Sequence, residues 1–253
     1  MDQERDRLKN LEDDDRRYIW HPFTQMQEYE KETPVIIERA EGVFLIDIHG
    51  NRYIDGVSSL WVNVHGHRRI EIDRALKEQI DRVSHSTLLG ISNVPAIQLA
   101  KKLVEITPSG LEKVFYSDSG STAVEIALKI SFQFFQHRMG KSCKKTRFVA
   151  LTNAYHGDTI GSVSVGGIPL FHDLFHPLLF PCHFASSPYC YRCPLDMTYP
   201  SCSLACADEL EKTVQQFHEE TAALIIEPLV QGAAGMLIAP PGYLSRVREI
   251  CTR

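Results

Sequence analysis

Long apolar runs are missing from this 253-residue sequence. Its fully apolar stretches, such as Ala222–Ile226, fall far short of the roughly 20 residues a helix needs to cross a bilayer, so no membrane span is expected. An excess of basic charge is missing too. The 27 Lys and Arg stand against 32 Asp and Glu, a net charge of −5, which argues against nucleic acid as a partner. The N-terminus lacks an apolar h-region. Met1–Arg17 is instead charge-rich, which excludes a secretory signal and is too acidic for a typical transit peptide. No Gly-x-Gly-x-x-Gly fingerprint or P-loop spacing occurs, which argues against a Rossmann-type dehydrogenase. Cysteine is not scarce. Seven of them without a secretory signal read as reduced thiols, and a cytoplasmic location is expected. What remains, 43% hydrophobic and 23% charged, is a globular composition able to bury a core without staples.

The pattern along the chain changes once. Trp20–Phe23 is a short aromatic segment broken by Pro22. The β-rich runs Pro34–Glu38, Val43–Asp47 and Arg52–Asp55, with a Gly50–Asn51 turn, predict a small antiparallel meander. Ile72, Leu76, Ile80 and Val83 follow a helical period over Ile70–Val83. A second helix is predicted over Val94–Ile106, with Asn93 as N-cap, Pro95 in its first turn and Pro108 after its end. Strands and helices then alternate: strand Lys113–Tyr116, helix Thr122–His137, strand Arg147–Leu151, helix Leu204–His218, strand Ala222–Ile226, and a helix beginning over Pro241–Ile250. Such alternation predicts an α/β fold with a mostly parallel sheet. The division expected is a small N-terminal α+β segment, residues 1–88, and the first half of a large α/β domain, residues 89–253. Ile250–Arg253 carries no helix-stop signal, so a domain continuing past Arg253 is expected.

Three segments could carry chemistry. Tyr116–Glu125 runs from a strand through Ser119, Gly120 and Ser121 into a helix, and Thr122 with Glu125 fits a capping box. A helix start of this kind presents free N–H groups and a positive dipole end to a phosphate, or is simply a well-capped helix. Asn153–Thr159 places Tyr155 and His156 just after a parallel strand, where α/β sheets bind ligands and where a flat ring would find a stacking partner. The plainer reading is an aromatic packed over the sheet edge. Ile225–Gly232 puts Glu227 at the end of a buried strand, where an unpaired carboxylate is costly, so a partner is expected. Separately, Cys190, Cys193, Cys202 and Cys206 have spacing compatible with zinc or an iron–sulfur cluster, against a default of reduced structural cysteines. His172 and His176 read as packing among Phe171, Phe175 and Pro177, and His65 and His67 as part of a turn.

Together these segments resemble the class III, fold-type I, pyridoxal-phosphate-dependent aminotransferases. The nearest branch converts 8-amino-7-oxononanoate to 7,8-diaminononanoate in biotin synthesis. The resemblance covers nearly the whole chain through Trp20–Met26, Asp55–His67, Ser84–Gly90, Ser117–Glu125, Tyr155–Thr159 and Glu227–Gly232. It implies that Gly120 and Ser121 form the phosphate cup, and that Tyr155, His156 and Gly157 form a turn at the cofactor ring. Glu227 is implied as the acid beside that ring, and Phe23, Leu60, Trp61 and Tyr155 as the substrate wall. Many relatives carry Tyr where this chain has Phe23, and a Trp pair where it has Leu60–Trp61. The resemblance leaves the amino donor open between S-adenosylmethionine and lysine, and implies a homodimer for the full-length enzyme. It also implies an Asp-Glu-Val strand and a Schiff-base lysine beyond Cys251. None of the eleven lysines here matches that lysine, so no catalytic residue is assigned within the chain. The alternatives are another class III omega-amino-acid aminotransferase, or a non-catalytic binding module with a four-cysteine metal site.

Overall fold

Charge, not apolar periodicity, builds the first element. The computed structural model describes residues 2–253, and the acidic and basic run of the N-terminus forms helix α1, Asp2–Tyr18. Arg7 pairs with Glu4 one turn away (2.8 Å) and with Glu38 in the following sheet (2.5 Å). Asp15 accepts from the Tyr29 hydroxyl (2.8 Å), which anchors the short helix α2, Met26–Tyr29.

The meander forms as an antiparallel sheet in the order β1 (Ile37–Glu41), β2 (Phe44–Asp47), β3 (Arg52–Ile54). The first strand starts at Ile37 rather than Pro34. The β2–β3 turn is organised by Asp47. Its carboxylate accepts from the His49 and Asn51 N–H groups (2.9 and 2.8 Å), the Asn51 amide and the Tyr53 hydroxyl (both 2.9 Å). Burial pushes the Asp47 carboxyl up, but these hydrogen bonds outweigh it and hold the pKa below the ordinary value.

After β3 comes a short turn, α3 (Ser58–Trp61), whose four residues all have positive φ: 51°, 48°, 65° and 70°. None is glycine, and a left-handed residue of this kind costs about 1–2 kcal/mol. Helices α4 (Ile70–Arg82) and α5 (Val94–Ile106) follow, and Asn93 caps α5 by accepting from Ala96 N–H (3.0 Å). Ile72, Leu76 and Ile80, the apolar stripe of α4, are exposed.

The described chain forms two compact units that divide at Thr107–Pro108, so α5 belongs with the first unit. Within the second lie α6 (Gly120–Met139), β4 (Arg147–Leu151), α7 (Ile160–Ser164), α8 (Pro169–His172), β5 (His183–Ala185), α9 (Ala205–Phe217), β6 (Thr221–Leu224), the hairpin β7 (Val230–Gln231) and β8 (Leu237–Ile238), and α10 (Tyr243–Thr252). The main sheet is parallel, ordered β5-β4-β6 with β4 central.

Alternation along β4 decides the layers. Phe148 and Ala150 pack with Leu128 of α6 and Val165 on one face. Val149 and Leu151 pack with Ala207 and Leu210 of α9 and Tyr243, Val247 and Ile250 of α10 on the other. Both faces are covered, as a parallel strand requires. Arg246 fastens α10 to α9 through Glu211 (2.9 Å). The predicted strand Lys113–Tyr116 joins no ladder among the described residues, and Phe115 is exposed. β5 and the β7–β8 hairpin went unforeseen because each is only two or three residues long.

Candidate active site

The start of α6 is the foundation of the site. Ser119 is extended (φ −153°, ψ 169°) and is the N-cap, accepting from Thr122 N–H (3.2 Å), while Thr122 Oγ1 accepts from Ser119 N–H (3.0 Å). The cap is thus Ser119 with Thr122 as its partner, rather than Thr122 with Glu125. With Thr122 already inside the helix, Glu125 is free to turn toward the next loop. Its carboxylate accepts from the Thr159 hydroxyl (2.6 Å) and Gly161 N–H (2.8 Å).

The cap leaves the N–H groups of Gly120 and Ser121 at the positive end of a 20-residue helix, with no hydrogen bond from either among the described residues. Ser121 Oγ lies beside them and accepts from Asp158 N–H (3.2 Å). The loop after β4 folds tightly onto this turn. Gly157, at φ +119°, sits so close that a Cβ there would lie 1.9 Å from Ser121 Oγ. At Gly161 a Cβ would lie 2.2 Å from a Glu125 carboxylate oxygen. Two glycines, one carboxylate and one serine therefore interlock helix start and loop.

That loop carries Tyr155 and His156. Tyr155 N–H donates to Glu227 Oε2 (3.0 Å), and Gly232 N–H donates to Glu227 Oε1 (2.9 Å). The partner of Glu227 is thus a pair of backbone amides, and the acid ties the β4 loop to the segment after β6. The Tyr155 hydroxyl donates to Asp158 Oδ2 (2.5 Å), and burial followed by this bond pushes its pKa up to about 12. His156 is driven down to about 4 by burial and by the neighbouring His172, so its imidazole is neutral near pH 7. Its Nε2 is buried without a hydrogen-bond partner. Gln231, buried behind the loop, donates to Thr152 O (2.9 Å).

Gly120, Ser121, Tyr155, His156, Gly157 and Glu227 therefore belong to one connected region at the carboxyl ends of β4 and β6. Asp158, Thr159, Glu125 and Ser162 join them there. Glu125 was visible in the sequence but read as a cap. Ser162, whose hydroxyl donates to Ser121 O (3.2 Å), gave no local signal at all. Two amide donors at a helix start, and an orphaned buried imidazole nitrogen on the loop that carries Tyr155, suit a planar phosphorylated cofactor.

Comparison with known proteins settles the family. The profile described as Aminotransferase class-III matches residues 25–253. The chain belongs to this family. It is 57% identical over 246 residues to the adenosylmethionine-8-amino-7-oxononanoate aminotransferase of Geobacter sulfurreducens, covering 97% of this chain and 54% of that protein. The crystal structure of the enzyme of the same name from Methanocaldococcus jannaschii superposes with a TM-score of 0.87 at 47% identity, over 96% of this chain and 52% of that one. The omega transaminase from Pseudomonas jessenii, solved in complex with PMP, matches with a TM-score of 0.87 at 31% identity, over 96% and 53%. The fold is that of fold-type I transaminases, and the chain spans about half the length of the curated relatives it matches.

Phe23, Leu60 and Trp61 lie in the first unit, all three exposed, Phe23 and the Leu60–Trp61 pair on backbone of positive φ. The four cysteines line one small cavity with Tyr189, Met197 and Tyr199, and all are free thiols. Among the described residues no three His, Cys, Asp or Glu side chains are grouped to hold a metal ion. Burial, reinforced by Cys190 and Cys202, pushes the Cys206 thiol up to about 11, which keeps it protonated.

Proposed function

We propose that the full-length protein is a pyridoxal-phosphate-dependent aminotransferase. It passes an amino group to the ketone of 8-amino-7-oxononanoate, giving 7,8-diaminononanoate for biotin synthesis, with S-adenosylmethionine or lysine as donor. The observation that carries this reading is the capped start of α6. Ser119 and Thr122 satisfy each other and leave the Gly120 and Ser121 N–H groups without a partner among the described residues, while Ser121 Oγ accepts from Asp158 N–H of the Tyr155 loop. Relatives bearing this activity in their names align over nearly the whole chain.

Pyridoxal phosphate supplies, when bound, the electron sink through which an amino group is taken from one substrate and given to another. The residues of this chain bind and orient. Gly120 and Ser121 hold the phosphate through backbone N–H groups and the Ser121 hydroxyl. Tyr155 offers an aromatic face, and neutral His156 offers a ring nitrogen without adding charge. Glu227 fixes the loop by holding Tyr155 and Gly232 amides. Phe23, Leu60 and Trp61 line the substrate wall, where Phe23 and Leu60 supply no hydrogen-bond donor. The Schiff-base lysine and the aspartate at the pyridinium nitrogen belong to the remainder of the full-length protein, a cytoplasmic homodimer.

The test is product formation. The full-length protein, given pyridoxal phosphate, 8-amino-7-oxononanoate and each donor in turn, is expected to yield 7,8-diaminononanoate by mass spectrometry with one donor strongly preferred. No product with either donor, from protein that binds the cofactor, would refute the assignment of substrate.

A further inference from the structure

The left-handed turn Ser58–Trp61 has an unusual support. Asp55, just upstream, has a side chain only 5% exposed. It accepts from Ser59 N–H (2.7 Å) and from the Ser59 hydroxyl (2.8 Å). The His67 ring closes on the same carboxylate from the other side, with Nε2 at 2.8 Å from Oδ2. Asn63 Nδ2 lies 2.6 Å from His67 Nδ1. With the Asn63 amide donating to Nδ1, the ring carries its proton on Nε2 and donates it to Asp55, so one tautomer satisfies both contacts. The His67 backbone is in turn bridged to Gly42, with N–H to O at 2.7 Å and 3.1 Å. Gly66, at φ +80°, allows that approach, since a Cβ there would lie 3.0 Å from Gly42 O.

The chain of support runs from the sheet to His67, to Asp55, to Ser59. The two large side chains that the turn carries, Leu60 and Trp61, are exposed rather than packed. Burial of those side chains therefore does not hold the strained backbone. The polar clamp does, together with backbone bonds from Trp61 N–H to Val57 O (2.7 Å) and from Val62 N–H to Ser58 O (3.1 Å). We propose that Asp55, oriented by His67 and Asn63, is a positioning residue for substrate recognition, holding Ser58–Trp61 left-handed so that Leu60 and Trp61 are presented as a preformed wall. This rests on the reading of Leu60 and Trp61 as substrate-contacting.

The experiment compares Asp55→Asn, His67→Leu and Leu60→Ala in the full-length holoenzyme, and measures KM for each substrate, kcat and cofactor affinity. The emission of Trp61 is taken as the difference between each protein and its Trp61→Phe counterpart. Asp55→Asn is expected to raise KM for 8-amino-7-oxononanoate about tenfold with kcat changed less than about threefold, by misplacement of the wall. It should shift Trp61 emission and leave cofactor affinity unchanged. His67→Leu should act in the same direction more weakly, and serves alone if Asp55→Asn does not fold. Adding Ser58→Gly, which removes the steric cost of positive φ, should recover part of the lost KM. If Leu60→Ala raises KM while Asp55→Asn and His67→Leu alter only thermal stability, the positioning role is overturned and the substrate wall stands. If Leu60→Ala also leaves KM unchanged, both are overturned.

Discussion

Gly157 and Ser121 show how closely the site is fitted. No side chain can be added at Gly157 without displacing Ser121, and the φ of +119° is itself unfavourable to any other residue. Gly157→Ala is therefore expected to lower stability by about 2–3 kcal/mol in urea titration. It should weaken cofactor binding in parallel, because the displaced hydroxyl belongs to the proposed phosphate cup. His156 sets a pH dependence. Its folded pKa of about 4 lies below the ordinary 6.5, so the unfolded chain takes up a proton that the folded chain refuses. Stability from this residue is complete above pH 6.5 and is lost as pH falls from 6.5 toward 4. His156→Asn should flatten that part of a stability–pH curve, and an unchanged slope would remove the imidazole as its source. Tyr155, His156 and Glu227 were legible because each stands beside a strand end, where the sequence alone flags a ligand position. The roles of Glu125 and Ser162 were not, since their partners lie more than thirty residues away.

At the scale of elements, α6 invites a substitution that removes one amide and little else. Gly120 is the first helical residue, the position where proline is best tolerated, and a Cβ there meets nothing within 4 Å. Ser119 before it is already extended, as a residue preceding proline must be. Gly120→Pro should keep helix content and thermal stability while weakening pyridoxal phosphate binding about tenfold, the loss of one charge-assisted hydrogen bond. Ser119→Ala, by contrast, should cost about 1 kcal/mol of stability by loss of the cap. Helices α4, α5, α6, α9 and α10 and strand β4 were readable to within a few residues because caps and periodicity act locally. Lys113–Tyr116 misled because a β-rich composition makes a strand only where a neighbour offers a ladder. The N-terminal helix was hidden for the opposite reason, since its stabilising groups are ion pairs and a Tyr–Asp bond rather than an apolar stripe.

Over the whole molecule the two units differ in how they meet water. The second has a parallel sheet covered on both faces, whereas the first leaves the apolar stripes of α4 and α5 exposed, including Ile72, Leu76, Ile80, Val94 and Ile97. Among the described residues no helix is long and apolar enough to cross a membrane, so a bilayer-spanning helix does not account for these stripes. Exposed patches of this kind mark contact surfaces. The 253-residue chain alone is expected to self-associate, and sedimentation of the full-length protein is expected to give a dimer. A monodisperse 28.7 kDa monomer of the chain would contradict that account.

Whether the start of α6 grips the phosphate of pyridoxal phosphate is read from a paired titration of the full-length protein with pyridoxal phosphate and with pyridoxal. The phosphorylated form is expected to bind at least about a hundredfold more tightly, with Gly120→Pro narrowing the gap by about tenfold. Equal affinities for the two ligands, or a gap that Gly120→Pro leaves intact, would contradict it.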